Sequence, residues 1–280
     1  NVSEGCPVEF NVSGSGDEYL DLSQTQLYVK VKILKSDGKP LTAESKVGPV
    51  NLFLHSTFSQ VDISLNERLV SSNTAGRMNV FDHKDSQPNE GFIQRAEMFK
   101  LSASVDMIGR LHLDMFHQEK LLLNMVDMKI KLIRSKPEFC LLGAGEYKVL
   151  LENASLFVRK VRVSPGVVLG HAKALEKSTA KYPINRVLCK AYSIPTGNMS
   201  FVQDNIFVGQ MPNRIVVACI DNDAFNGSYK KSPFEFKHYN INFIGVYVDG
   251  QPVPHNPLQP NFGTRAVSSQ IPIFQALWLK

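Results

Sequence analysis

Apolar and polar residues alternate along much of the chain, and this pattern predicts β-strands. Between residues 20 and 35, Leu27, Val29, Val31 and Ile33 alternate with tyrosine and lysine. The same alternation, or a short apolar run bounded by turn residues, predicts further strands at 50–54, 61–65, 92–98, 105–116, 126–134, 147–151, 156–163, 186–194, 206–208, 214–220 and 241–248. The chain is therefore predicted to be mostly β.

One stretch near the middle of the chain has a different spacing. After Pro165 and Gly166, and before Pro183, apolar residues fall on one side of a helical projection and charged residues on the other. The apolar positions are Val168, Leu169, Ala172 and Leu175, and the charged positions are Lys173, Glu176 and Lys177. This spacing predicts a helix over 168–177, which we interpret as the link between two similar β units.

Turn-forming residues separate the predicted strands. Turns are predicted at 36–40, 66–68 and 249–252, where Asn, Asp, Gly or Pro occur. The order strand, excursion, strand, turn occurs at 50–67 and again at 214–250, but this pattern leaves open whether the β units are duplicated. Many short strands with few helices favour an antiparallel sandwich or jelly roll over a βαβ fold.

Composition narrows the class of protein. The chain has 280 residues, of which 43% are hydrophobic and 20% are charged, as is ordinary for a globular protein. No apolar run is long enough for a membrane span, and residues 1–16 lack the layout of a signal peptide. The formal net charge of +5 would help binding to an acidic partner, but it is below what nucleic-acid-binding proteins carry.

The cysteines indicate a reduced, intracellular chain. Cys6, Cys140, Cys189 and Cys219 are far apart, and no pair has the spacing of zinc ligands. Cys189 and Cys219 lie within predicted strands, so we expect both to be buried free thiols.

The sequence carries no arrangement that is typical of an enzyme. His112 and His117 lack a metal-ligand spacing, and in a strand they would point to opposite faces, so we expect two unrelated histidines. Residues 221–223 begin like a calcium loop, but Phe225 and Asn226 stand where a ligand and a glycine belong, which favours a turn or helix cap. We therefore predict no catalytic residue, no cofactor site and no metal site, and we do not expect an enzyme.

Several stretches together resemble one protein family. They are DLSQTQLYVKVKI (21–33), VGPVNLFLHSTFSQVDISLN (47–66), VDMIGRLHLDMF (105–116), LFVRKVRVSP (156–165), HAKALEKSTAKYPI (171–184), DNDAFNGSY (221–229), PFEFKHYNI (233–241) and LQPNF (258–262). Such runs resemble the capsid proteins of Polinton/Maverick-type virus-like DNA elements and the related adintoviruses. The resemblance covers most of 21–262, and the combined motifs are more specific than any single one.

The resemblance implies a double jelly-roll major capsid protein. Its first jelly roll would occupy 1–165, and a linking helix with a second jelly roll, side by side with the first, would occupy 166–280. Three such chains would form a pseudo-hexameric capsomer that tiles an icosahedral shell, because a trimer of doubled units offers six similar edges. The implied partners are further copies of the chain, as a homotrimer and larger shell, and a minor capsid protein, with no specific nucleic-acid recognition and no membrane span.

The same resemblance implies a location and contact surfaces. The chain is expected in the virion, after synthesis inside the host cell and without secretion. Subunit contacts are expected at 55–60 and 221–239. In the second of these stretches aromatic and basic residues interleave, and a subunit contact or a core-capping loop is favoured over a base-stacking surface.

The sequence also departs from the family at two places. Residues 71–91 lack periodicity, which predicts a surface loop or the site of a missing piece. The resemblance implies a longer segment between the counterparts of 72–74 and 75–78, which directly adjoin each other in this sequence. After Phe262 the resemblance ends, which predicts a truncated or mis-spliced copy and leaves open whether the second jelly roll is complete. Two alternatives remain: a single jelly-roll minor capsid protein of the penton type, which predicts pentamers, and a non-viral β-sandwich binding module.

Overall fold

Antiparallel β-sheets make up most of the structure. The computed structural model describes residues 6–14, 16–74, 90–209, 211–231 and 236–262, with the backbone alone at 73–74 and 275–278. The chain divides into two units, Asn1–Cys189 and Lys190–Lys280. Strands predominate and helices are few, so the predicted all-β sandwich class is confirmed.

The first unit contains most of the regular structure. In chain order its strands are β1 (Val8–Val12), β2 (Glu18–Lys35), β3 (Val47–Pro49), β4 (Phe58–Leu65), β5 (Arg68–Thr74), β6 (Val105–Arg110), β7 (Met128–Arg134), β8 (Leu141–Gly143) and β9 (Tyr147–Arg162). Its helices are α1 (Phe53–Ser56), α2 (Glu90–Met98), α3 (Pro137–Cys140) and α4 (Pro165–Leu175), with 3-10 turns at Lys100–Ser102 and Asp114–His117. The strand orders of its sheets are β1-β7-β4-β5, β6-β2-β9 and β3-β8.

The two larger sheets bury the alternating residues that define the predicted strands. On β2, Leu27, Val29, Val31 and Ile33 are at most 2% exposed. The corresponding buried residues on β4 and β7 are Val61, Ile63, Met128, Ile130 and Leu132. Full burial of one such side chain contributes about 1.5–3 kcal/mol. A one-residue slip in pairing would turn these side chains outward, so their burial determines the register of each strand.

Strand β2 pairs with β9 along most of its length, from Glu18 opposite Arg162 to Lys35 opposite Tyr147. Stretches 147–151 and 156–163, predicted as two strands, are therefore one strand that includes the polar residues between them. At the end of β7, Arg134 donates a hydrogen bond to the Val149 carbonyl on β9, which ties the two larger sheets together.

Two apolar runs that were predicted to be strands do not form strands. Residues 92–98 lie in α2, where Phe92 and Ala96 pack one turn apart over Gly48; a Cβ at Gly48 would lie 2.9 Å from both side chains. Residues 50–54 are not a strand either, because β3 ends at Pro49 and a left-handed Leu52 (φ 52°) begins α1. A short apolar run has no periodicity that distinguishes a buried strand from a buried helix.

The predicted helix after the first β unit is confirmed as α4, although it begins three residues earlier than the predicted span of 168–177. The predicted strand at 105–116 ends at Arg110, and the chain then turns through the 3-10 helix. Among the described residues, no helix combines the length and the apolar character needed to cross a bilayer.

In its described residues the second unit has short strands: β10 (Arg214–Val217), β11 (Tyr247–Val248), β12 (Gln251–Pro252) and β13 (Gln275–Trp278). Strand β10 pairs with β13, and β11 pairs with β12 around the predicted turn, where Asp249 and Gly250 both have positive φ. Its helix is α5 (Asn222–Asn226). Strands predicted at 186–194 and 206–208 do not form, and those at 214–220 and 241–248 are shorter than predicted.

In this half of the chain, apolar side chains are exposed to solvent at positions where predicted strands do not form. Val187 and Leu188 are 64% and 66% exposed, so no burial energy holds them in a sheet. The division after Cys189 lies beyond α4, whereas the sequence placed the boundary at 165/166. That each unit is a jelly roll stays a prediction. The junction of Thr74 with Ala75 and most of the sequence after Phe262 lie outside the described residues.

Candidate functional site

Polar contacts tie a segment that follows α4 to the body of the first unit. We call residues 181–185 the strap and residues 113–123, against which they lie, the receiving loop. The backbone N and the Nδ2 of Asn185 both donate to Asp114 Oδ2, at 2.6 and 3.0 Å. The Tyr182 hydroxyl donates to the Leu121 carbonyl (3.1 Å) and accepts from the Leu123 amide (3.3 Å). These contacts hold both ends of the strap.

Two further contacts come from the receiving loop. Lys120 Nζ donates to the Lys181 carbonyl at 3.1 Å, and Gln118 Nε2 donates to the Pro183 carbonyl. Burial raises the pKa of Tyr182, so its phenol stays protonated and able to donate. The strap therefore engages the loop through backbone carbonyls, one phenol and one carboxylate.

The receiving loop is itself anchored in the core. Leu113, Met115, Phe116 and Leu122 are each at most 3% exposed. Leu122 also exchanges two backbone hydrogen bonds with Leu20 of β2, at 2.8 and 2.9 Å. The alternation of buried and polar positions turns Asp114 and Gln118 toward the strap while their apolar neighbours pack inward.

Helix α4 is attached next to the strap by one aromatic contact. The Tyr19 hydroxyl lies 2.9 Å from His171 Nδ1, and the two rings are stacked with centroids 5.8 Å apart. Tyr19 is only 3% exposed, so it gives the exposed helix a rigid attachment point.

Three histidines lie together at the receiving loop, which itself contains the last of them, and we call His55, His112 and His117 the histidine cluster. The rings of His55 and His112 are stacked with centroids 3.8 Å apart, and the centroids of His112 and His117 are 6.4 Å apart. Burial, and secondarily the neighbouring His112, lower the pKa of His55 from 6.5 to about 4. The neutral imidazole is therefore the favoured form in the folded chain.

The expectation that His112 and His117 are unrelated was wrong. They were predicted to point to opposite faces of one strand, but β6 ends at Arg110 and the chain turns at Asp114–His117, which brings the two rings closer. His55 arrives from α1, more than fifty residues earlier in the chain. No sequence spacing signals this approach, because it depends on the packing of α1 against β6.

The geometry of the histidine cluster does not suit a metal ion. No group of three or more His, Cys, Asp or Glu side chains able to hold a metal ion occurs in the part of the chain that the structure describes. The ring planes of His55 and His112 differ by only 23°, so their in-plane lone pairs run side by side and do not converge on one point.

The two stretches expected to contact other subunits, 55–60 and 221–239, differ in how exposed their side chains are. In 55–60, Ser56, Thr57 and Phe58 are at most 2% exposed, so the expectation of a contact surface there is wrong. In 221–239 the described side chains include exposed aromatics, with Phe225 at 50% and Tyr239 at 54%. This second stretch is accessible at those positions.

The expected helix cap at 221–223 is confirmed. Asp221 accepts from the Asp223 amide at 3.1 Å as the N-cap of α5. Lys231 Nζ lies 3.0 Å from Asp221 Oδ2 and 2.8 Å from Asp223 Oδ2. A hydrogen bond from Lys231, more than any other contact, lowers the pKa of Asp221. Lys231 thereby offsets part of the negative charge of the two carboxylates.

None of the four cysteines, all of which the structure describes, forms a disulfide, but their burial differs from the expectation. Cys140 is buried, Cys219 is half-buried, and both Cys6 and Cys189 are exposed. The expectation of a buried Cys189 is wrong because the strand predicted around it does not form. Burial raises the pKa of the Cys219 thiol, which keeps it protonated.

Comparison with known proteins gives one distant relative to report. No family model matches the sequence. The chain is 22% identical, over an alignment of 293 positions, to the Uncharacterized protein F54H12.2 of Caenorhabditis elegans. The alignment covers 91% of this chain and 69% of that protein. The name of this relative states no function.

Proposed function

We propose that the chain is a structural subunit of a virus-like capsid, which self-associates into trimers that build a larger shell. The observation that carries this proposal is how the motifs of the resemblance contact one another. The first part of motif 21–33 pairs with motif 156–165 as β2 with β9, from Asp21 opposite Arg159 to Leu27 opposite Leu156. Motif 21–33 also pairs with motif 105–116 as β2 with β6, from Gln26 opposite Arg110 to Val31 opposite Val105. Motifs that contact one another in the fold support common ancestry better than scattered similarities do.

Exposed apolar side chains also support self-association. In the second unit Met199 is 99% exposed, Val202 84% and Val208 87%, and in the first unit Met125 is 75% exposed. Large exposed apolar surfaces on globular proteins mark contacts with other molecules. Phe225 and Tyr239 add aromatic side chains of the kind that dominate subunit contacts.

Size-exclusion chromatography with light scattering on the full chain tests this proposal. A trimer has three times the monomer mass of 31.3 kDa, and electron microscopy at high concentration should show closed or sheet-like arrays. Phe225→Ser removes an exposed aromatic and should weaken the trimer, whereas Lys230→Ser, also exposed in the same loop, should not. A chain that stays monomeric at high concentration contradicts the proposal.

A single jelly-roll, penton-type subunit is a second candidate. The observation in its favour is that the described strands of the second unit have only two to four residues each, whereas β2 and β9 have 18 and 16. One extended sandwich with a less regular appendage would fit this candidate. The same light-scattering experiment distinguishes the two, because a penton-type subunit has five times the monomer mass.

A further inference from the structure

Two members of the histidine cluster, His112 and His117, lie on either side of the strap's anchor, Asp114, in the sequence. Asp114 is two residues after His112 and three before His117, and its Oδ2 accepts both hydrogen bonds from Asn185. The next residue after His117 is Gln118, which holds the Pro183 carbonyl. A displacement of residues 112–117 therefore moves two of the groups that hold the strap.

The cluster is packed in a way that disfavours protonation. The imidazoles of His55 and His112 are stacked at 3.8 Å between centroids, so two charged rings would repel at close range. Burial and His112 lower the pKa of His55 to about 4. If the receiving loop moves away from α1, His55 becomes solvated and regains an ordinary affinity for protons.

Strands β6 and β4, which pack against α1, both carry charged residues. Strand β6 turns Gly109 toward Leu54 of α1, and its Asp106 and Arg110 occupy the opposite, exposed positions. On β4, Asp62 accepts a hydrogen bond from Gln60 at 2.8 Å.

The remaining acids are Glu138 on α3 and Asp114 in the receiving loop. Asp114 accepts from the strap, and no carboxylate among the described residues contributes to the pKa of His55. Burial and His112 are thus the causes that act on this imidazole.

We propose that the histidine cluster is an acid-sensitive switch that releases the strap. At neutral pH the stacked, uncharged rings let residues 112–117 pack beside α1, which places Asp114 and Gln118 under the strap. When protons bind, the charged imidazoles separate, the receiving loop moves away from α1, and the strap loses its anchor. The proposal is independent of the capsid function, since it concerns only contacts within the first unit.

Hydrogen exchange of the full-length chain tests the switch, with the proton as the only ligand. Protection of the strap amides, corrected for intrinsic exchange rates, is compared at pH 7.5 and pH 5.0. An imidazole whose pKa rises from about 4 to 6.5 on opening favours the open form about 30-fold at pH 5.0. Partial solvation of the ring lowers the expected loss of protection to about 10- to 30-fold. Protection in the β2–β9 ladder should change much less.

Variants separate the cluster from other acid-sensitive groups. His55→Phe keeps an aromatic ring in the stack without a titrating nitrogen, and it should retain strap protection at pH 5.0. His112→Phe tests the same point from the other ring if the first variant does not fold. The matched control, His255→Gln, alters an exposed histidine of the second unit and should behave like the parent chain.

Two results would overturn the switch. Equal strap protection of the parent chain at both pH values would show that the cluster does not control the strap. Equal loss in the parent and in His55→Phe would assign the effect to another group, such as the Asp114 carboxylate.

Discussion

The Tyr182→Phe substitution measures how strongly the strap is held. The change removes one hydroxyl, which makes two hydrogen bonds, to the Leu121 carbonyl and from the Leu123 amide. It adds no atom and leaves the half-buried ring in place. Each bond contributes about 0.5–1.5 kcal/mol, and partial access of water makes the lower half of that range appropriate. The expected loss is about 1–2 kcal/mol for opening of the strap.

Hydrogen exchange of the Asn185 amide reports this opening, because that amide donates to Asp114 and is not itself altered. A loss of about 1–2 kcal/mol corresponds to about 5- to 30-fold faster exchange. Exchange in the β4–β7 ladder should stay unchanged, since those amides belong to the sheet and not to the strap. An Asn185 amide that exchanges at the parent rate in Tyr182→Phe would refute the inference that the strap is held as a unit.

Three further predictions concern stability. The pKa of His55 is below its unfolded value, so stability is greatest above about pH 6.5 and falls between 6.5 and about 4. The free energy of unfolding should fall by about 3 kcal/mol at most, and by about 1–2 kcal/mol after solvent screening. Urea titrations at pH 7.5 and 4.5 measure this loss, which should be smaller in His55→Phe. Gly48→Ala places a Cβ 2.9 Å from Phe92 and Ala96, so it should cost about 1–3 kcal/mol; an unchanged urea midpoint would contradict the packing of α2 on β3. Glu67→Gly relieves a positive φ of 64° in the two-residue turn between β4 and β5, so it should raise the thermal midpoint by an amount equivalent to about 1 kcal/mol; a lower midpoint would contradict this.

The strands that the sequence predicts best are those whose pattern reflects burial on one face. Apolar and polar residues alternate from Leu27 to Ile33 because one face of β2 packs inward, so the sequence itself shows which face is buried. The β4–β5 turn was predictable for a similar reason, since Asn66 tolerates the positive φ that a two-residue hairpin requires. Each of these features can be recognised from residues that are close in sequence.

The features that sequence reasoning missed depend on contacts between distant residues. A short apolar run predicts a strand at 92–98, but the stretch is helical, and Ala96 packs one turn after Phe92 on Gly48. Backbone carbonyls of the strap accept hydrogen bonds from Gln118 and Lys120. Every residue type carries a carbonyl, so no pattern of side chains in the sequence predicts these contacts. His55 meets His112 only after α1 packs against β6.

The pairing of β2 with β9 has a consequence for how the chain is made. Leu27 of β2 finds its partner Leu156 about 130 residues later, which a ribosome adding about 5–20 residues per second delivers about 6–26 seconds afterwards. During that interval a long apolar strand has emerged without its long partner, and such delayed, non-local pairing slows folding and invites aggregation. Nascent copies made side by side on one messenger RNA would therefore need a chaperone, or slow translation, to avoid pairing with each other before β9 is made.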